Sequence, residues 1–306
     1  MNTENKLPEG FETPTDHPSQ PELGKRWQEQ NREWWEKNPM RYDWNEGIGA
    51  DEHTPEFYAE IDRRHFFDAS RYMPPHERPF DELIPFEQLK TADVLEIGVG
   101  NGSHAQLIAP HCRSYTGIDL TEYAVQSTRR RFAAFGLQGQ VLQMDAENLE
   151  FPNASFDYVW SWGVIHHSAN TERILSEISR VLKPGGRSTI MVYYRSFLYY
   201  WVVAGFIRGV LMGGFLKTRS IHKLVQLHTD GAIARFYTSQ EWQAAVERNG
   251  FTIEQKWIKG QKSELFPIPA SRFKDKLMAL LPNSIARFFL NTLRQGSFLI
   301  TTIRKV

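Results

Sequence analysis

The sequence predicts an α/β fold, a parallel β-sheet with helices packed on both of its faces. Three observations carry that expectation. Between residues 92 and 195, short apolar runs alternate with amphipathic stretches, the rhythm of strands joined by crossover helices. Glycines, prolines and capping residues stand where one element must stop and the next begin. Apolar residues fill 41% of the 306 positions, enough to bury a sizeable core.

Taken in order, residues 1–24 are polar and proline-punctuated, with no apolar stretch of signal-peptide type, and are expected to form a poorly ordered tail. Residues 25–90 read as a helical N-terminal extension or lid. It begins with an aromatic-bearing helix over 25–37, ended by Pro39. The core, residues 91–194, holds strands at 93–100, 114–120, 140–146, 156–162 and 187–194. One helix starts at 103, and a second runs from a capping threonine, Thr121, to Gly136. In a third, Ile174, Leu175, Ile178, Val181 and Leu182 make one apolar face, stopped by Pro184-Gly185-Gly186. After residue 195 the alternation breaks, giving a helical lid or substrate insert over 195–237. Residues 238–306 return to the sheet through a Thr238–Glu241 capping box, a helix and two closing strands at 251–260 and 296–305.

Within the insert, "FLYYWVVAGFIRGVLMGGFL" (197–216) is nearly long enough to span a bilayer. Arg208 near its middle argues against spanning, since a charge at the bilayer centre costs about 3 kcal/mol. Gly205, Gly209 and Gly213 instead fit a closely packed buried or lid helix. Contact with a membrane surface or a lipid-like substrate is the second reading.

Lys plus Arg equals Asp plus Glu, at 36 each, which disfavours a nucleic-acid binder that neutralises phosphates. The single cysteine, Cys112, excludes an internal disulfide and fits a reducing, cytoplasmic location.

The stretch "VLEIGVGNG" (94–102) runs from a strand through Glu96 into Gly98, Gly100 and Gly102, just before a helix. Glycines let backbone turn sharply and approach a ligand closely. A dinucleotide site uses similar glycines, but Glu96 would repel a pyrophosphate and suits a cationic, amino-bearing ligand. Asp119 ends the next strand, placed to accept from ribose hydroxyls. Asp145 ends the third, within reach of an adenine amino group.

These residues resemble the class I S-adenosylmethionine-dependent methyltransferases. "LEIGVGNG" is similar to that family's E/D-x-G-x-G-x-G motif, Asp119 to its ribose acid, and Asp145-Ala146 to its adenine-contacting pair. "GVIHH" leading to "LKPGG" resembles the family's fourth-strand block. The resemblance implies a Rossmann-like, seven-stranded, mostly parallel sheet with one antiparallel strand. It implies S-adenosyl-L-methionine as methyl donor, S-adenosyl-L-homocysteine as product, and Leu120 and Trp162 beside the donor. Segments 1–90 and 195–237 lie outside it and are expected to shape acceptor choice.

Two histidines, His166 and His167, follow the fourth strand. As adjacent residues of extended chain they point opposite ways, so one is expected to face the pocket. A general base and a loop-former are both open for them; a metal site is disfavoured, because the block offers no clear carboxylate partner. Substrate candidates are Tyr42, His65, Tyr194, Arg195, Arg235 and Tyr237, with loop anchoring and aromatic packing as their plainer roles. Ser161-Trp162-Gly163-Val164 stands where enzymes that methylate nucleobase amines carry a Pro-Pro-aromatic sequence. The expected reaction is methyl transfer to a small acceptor, foremost a hydroxyl. N- or C-methylation of a small or lipid-like metabolite, a non-catalytic cofactor-binding partner and an RNA methyltransferase are the alternatives.

Overall fold

The structure, a computed structural model, describes residues 8–43, 46–268 and 271–306. Along the chain run α1 (Pro21–Lys37), α2 (Pro55–Tyr72), α3 (Phe86–Leu89), β1 (Asp93–Ile97), α4 (Ser103–Ile108), β2 (Ser114–Asp119) and α5 (Glu122–Phe135). Then come β3 (Gln140–Gln143), β4 (Phe156–Trp162), α6 (Thr171–Val181) and β5 (Leu182–Tyr194). A π-helix (Phe197–Leu211), α7 (Gly214–Thr218) and α8 (Ile221–Leu227) lead to β6 (Phe236–Tyr237), α9 (Ser239–Arg248) and β7 (Phe251–Lys259). The chain closes through α10 (Arg272–Leu280), α11 (Asn283–Arg287) and β8 (Phe298–Lys305).

The strands make one sheet in the order β3-β2-β1-β4-β5-β8-β7, with β6 beside the end of β5. β8 runs antiparallel to β5 and β7, and the other pairings are parallel. This is the expected Rossmann-like sheet with one strand more than seven. The extra strand, β6, is two residues long, too short to leave a periodic signal.

Both faces of the sheet are buried, so its strands read as continuous apolar runs. Val94, Trp160, Met191 and Ile300 point into one layer, and Leu95, Val159, Ile190 and Leu299 into the other, the two-residue period of a strand. Each such Leu, Ile or Val contributes about 1.5–3 kcal/mol by leaving water. Caps fix the helix ends as read: Thr121 Oγ1 accepts the Ala124 amide, and Gly136 closes α5 at φ 63°. The Thr238–Glu241 box opens α9.

Three expectations are corrected. Leu182 does not extend the face of α6; it starts β5, because Pro184 denies the preceding residue a helical backbone. Residues 8–24 are not a loose tail where described: Phe11 is buried edge-on against Trp27, ring centres 5.5 Å apart, and α1 begins at Pro21. The C-terminal part is not sheet alone, since residues 262–295 insert two helices and a π-turn between β7 and β8.

The 197–211 helix packs against the body of the fold. Tyr200, Ala204 and Gly209 form its inner side, at steps of four and five residues that suit i→i+5 bonding. A Cβ on Gly209 would stand 2.4 Å from the Phe215 ring, so only glycine admits α7 there. No described helix is long and apolar enough to cross a membrane. Gly209→Ala should destabilise the protein by about 1–3 kcal/mol through overpacking, read as a lower urea midpoint. An unchanged midpoint would refute the close approach.

Candidate functional site

The chain leaves β1 toward β2 on one side and β4 toward β5 on the other, so the carboxyl ends of β1 and β4 open a crevice at the sheet's switch point. Gly98 sits there at φ 82°, and a Cβ on it would lie 2.2 Å from Val164 in the loop after β4. Gly102, at φ 79°, caps α4 in the left-handed region. A Cβ on Gly100 would meet nothing within 4 Å, so the backbone here borders open space.

That space belongs to a cavity of about 610 Å³. It runs from the glycine turn, Asp119 and Asp145 at one end to Arg208, Met212, Ile268 and Lys274 at the other. Asp119 is held in place: Oδ2 accepts the Gly100 amide at 3.1 Å, and Oδ1 accepts the Thr121 amide and hydroxyl at 2.9 and 2.8 Å. Burial raises its pKa. Oδ2, with one bond, keeps capacity for a further donor, as a ribose hydroxyl would supply. Asp145 Oδ1 accepts the Gln28 amide at 2.9 Å and the Glu147 amide. Gln28 also accepts from the Ala169 amide, so α1 bridges two loops of the core. Glu36, further along α1, caps α5 by accepting from the Glu122 and Tyr123 amides.

Of the expected donor-site residues, Gly98, Gly100, Asp119, Leu120, Asp145, Ala146 and Trp162 line the cavity. Glu96 and Gly102 are not among the lining residues. Glu96 is buried under the turn, where Oε2 accepts the Tyr115 hydroxyl at 2.7 Å. Burial raises its pKa to about 8, so near neutrality it is largely protonated.

The histidine pair divides. His166 and His167 lie on a 3-10 turn, Ile165–His167, rather than in extended chain. His166 is sealed against Tyr193, outside the cavity lining, and burial drives its pKa well down. His167 lines the cavity. Its Nδ1 stands 2.6 Å from the Ile233 carbonyl. A carbonyl only accepts, so Nδ1 carries a proton. Gly231 makes room for it, as a Cβ there would lie 2.5 Å from Nδ1.

Among the substrate candidates, Tyr42 and His65 line the cavity, stacked on each other with centres 4.9 Å apart. Burial pushes His65 down to about 3, so it is neutral and packs beside His104 and Phe80. Arg64 Nη1 donates to the Tyr42 carbonyl at 3.0 Å and so positions that segment. Tyr194, Arg195, Arg235 and Tyr237 are not among the lining residues. Tyr194 and Tyr237 belong to the core layer under the sheet, and Arg195 pairs with Glu241. Arg235 is fully buried and donates to the carbonyls of Asp16, Ser168 and Ala169, which ties the 8–20 segment to the histidine loop.

Sequence reasoning missed Glu264, which lines the cavity from the turn after β7. Its Oε1 accepts the Gln261 amide at 2.6 Å and the Ser297 hydroxyl at 2.8 Å. Oε2 is buried with no hydrogen-bond partner among the described residues. Burial raises its pKa to about 7. Tyr193, Tyr199 and Arg208, also lining residues, come from the end of β5 and the lid.

Comparison with known proteins matches residues 95–190 to a methyltransferase-domain family. A fatty-acid O-methyltransferase of Mycolicibacterium smegmatis is 39% identical over 95 residues, 30% of this chain and 34% of that protein. A phthiotriol/phenolphthiotriol dimycocerosates methyltransferase of Mycobacterium leprae gives the same figures. The 27-O-demethylrifamycin SV methyltransferase of Amycolatopsis mediterranei is 33% identical over 111 residues, 35% of this chain and 41% of that protein. The match thus spans about a third of the first two relatives' length. Among solved structures, the [4+2]-cyclase SpnF aligns with 96% of this chain and 98% of its own, at TM-score 0.51 and 15% identity. A methyltransferase bound to the Trm112 activator of Haloferax volcanii aligns with 80% and 92%, at TM-score 0.51 and 18% identity. Both are likenesses of fold alone.

Asp119→Ala removes an acceptor aimed at hydroxyls. It should weaken S-adenosylhomocysteine binding by about one to two orders of magnitude, one charge-assisted hydrogen bond's worth. Calorimetry reads the change, and unchanged affinity would refute the assignment.

Proposed function

Starting from a methyltransferase domain of the class I fold at residues 95–190, we propose that the chain methylates a hydroxyl on a small amphiphilic acceptor, with S-adenosylmethionine as donor. The observation that carries this reading is the continuity of one cavity, from the glycine turn and Asp119 to the lid and the 262–295 insert. The donor end fits: Gly100 leaves backbone bare to a ligand, Asp119 offers acceptors, and Asp145 stands beside Met144 and Ala146. The acceptor end is apolar and aromatic, with Met212, Phe266 and Ile268, but carries the cations Arg208 and Lys274, a mixed lining that suits an amphiphile. The three curated relatives support an O-linked or lipid-like acceptor by their names, two being O-methylation enzymes of a fatty acid and of a rifamycin.

When bound, S-adenosylmethionine supplies an activated methyl on a sulfonium sulfur. The chain's part is to align and desolvate the acceptor and to remove its proton. Glu264 takes that proton in the proposed scheme. Its Oε2 makes no hydrogen bond among the described residues, and its pKa near 7 matches a base working at neutral pH. His167 is the second reading, favoured by its place in the cavity lining and by the Ile233 carbonyl that orients its ring.

Calorimetry with the donor, then labelled-methyl uptake into hydroxylated amphiphiles, tests the reading; absence of donor binding would end it. The pH profile separates the bases. Glu264 is raised by burial to about 7, so the active carboxylate is present above that pH and lost below it. Turnover should fall on the acid side near pH 7. Glu264→Gln should remove that limb and lower kcat about 100-fold or more. If the limb survives there and vanishes in His167→Gln, the histidine is the base.

A further inference from the structure

We infer that the chain docks on anionic lipid bilayers through the lid helix and the 262–295 insert, at the mouth of the cavity. This surface stands apart from the choice of acceptor and base. The lid helix has two sides. Tyr200, Ala204 and Gly209 are packed inward, whereas Phe197, Trp201, Phe206 and Val210 repeat at the same steps of four and five residues and face out. Trp201 and Phe206 are 52% and 55% exposed, and Leu216 on α7 is 89% exposed. Large apolar side chains clustered this way mark an interaction surface rather than ordinary scatter.

The 262–295 insert repeats the pattern, with Phe273, Leu280, Phe288 and Phe289 exposed. The two segments are neighbours. The Leu198 amide at the start of the lid donates to Gln295 Oε1 at 3.2 Å. Near the other end, Arg208 and Met212 of the lid line the same cavity as Ile268 and Lys274.

Charge identifies the occupant. The whole chain is neutral, with 36 basic and 36 acidic residues. Residues 197–229 nevertheless hold Arg208, Lys217, Arg219 and Lys223 and no Asp or Glu. Residues 271–295 hold five Lys or Arg against Asp275 alone. Lys217, Arg219, Arg272, Lys276 and Arg294 are exposed. A surface of exposed Trp, Phe and Leu in which cations outnumber acids, with Asp275 within it and Glu12 paired to Lys223, complements an anionic leaflet. A second copy of the chain would bring the same cations against one another. The lid need not span the bilayer, since apolar side chains at the headgroup boundary suffice.

Vesicle co-sedimentation of the full chain tests this without any enzymatic readout. Vesicles of phosphatidylglycerol and phosphatidylcholine in equal parts should bind the protein, and phosphatidylcholine alone at least about tenfold more weakly, given the contribution of each cation near an anionic surface. Added salt should release it. The double variants Trp201→Ser with Phe206→Ser, and Lys217→Glu with Arg219→Glu, should each lose about tenfold or more in affinity, with far-UV circular dichroism and urea midpoint checking that they remain folded. Absence of binding to the mixed vesicles, or folded variants that bind as well as the parent, would overturn the inference. So would a dimer in sedimentation velocity that the apolar variants dissociate, because a second copy would then own the surface.

Discussion

The site depends on one contact between two turns, Gly98 after β1 against Val164 after β4. Val164 occupies the place a side chain at 98 would need, 2.2 Å from its ideal Cβ. That approach fixes how far apart the two strand ends stand, and the crevice at the switch point is the gap they leave. On one side the turn presents Gly100 and receives Asp119 from β2. On the other, the chain beyond Val164 turns immediately into the 3-10 segment that carries His167 toward the cavity and His166 away from it. A bulkier residue at 98 would therefore shift the donor cradle and the histidine loop together.

Around that fixed gap, the N-terminal extension acts as a clamp made of polar contacts to the core. Gln28 meets Asp145 and the Ala169 amide, and Glu36 meets the start of α5. Asp62 on α2 receives two contacts from buried Arg131 on α5, at 2.9 and 3.0 Å, and the Ser103 hydroxyl. Removing one partner of a buried pair costs about 3–5 kcal/mol, because the other is left without compensation. The clamp is thus coupled to the folded state of the core, and Tyr42 and His65 owe their positions over the cavity to it.

Legibility in the sequence followed the range of the interactions. Gly98, Gly100, Asp119 and Asp145 stand at or just past strand ends, so the local pattern placed them in the cavity. Glu96 shows a motif overriding a simpler rule. In β1 it shares a face with Val94, whose side chain lies in the α2-side core layer, and the two-residue period already pointed it under the turn to Tyr115. One histidine of the pair lines the cavity, set there by a 3-10 turn and not by the alternation of extended chain. Arg235 has no local signal of its structural role, because its partners, the carbonyls of Asp16, Ser168 and Ala169, are backbone atoms and distant in sequence. Glu264 left no local signal at all. What distinguishes it is burial and the Ser297 hydroxyl, a partner 33 residues away that meets it only in the folded chain.

The two ends of the cavity are consequently specified in different ways. The donor end is built from backbone turns and carboxylates that sit on the sheet, where burial on both faces leaves little freedom to move them. The other end is built from the 197–211 helix, the turn after β7 and the second insert, elements that keep large apolar side chains in solvent. Exposing Trp201, Phe206 and Leu216 to water stabilises nothing in the isolated molecule. Their retention beside a one-sided cluster of cations is best accounted for by a partner that buries the first and neutralises the second. Under the proposed function, a cavity lined by Arg208 and Lys274 would receive its amphiphile from the same phase the surface rests on.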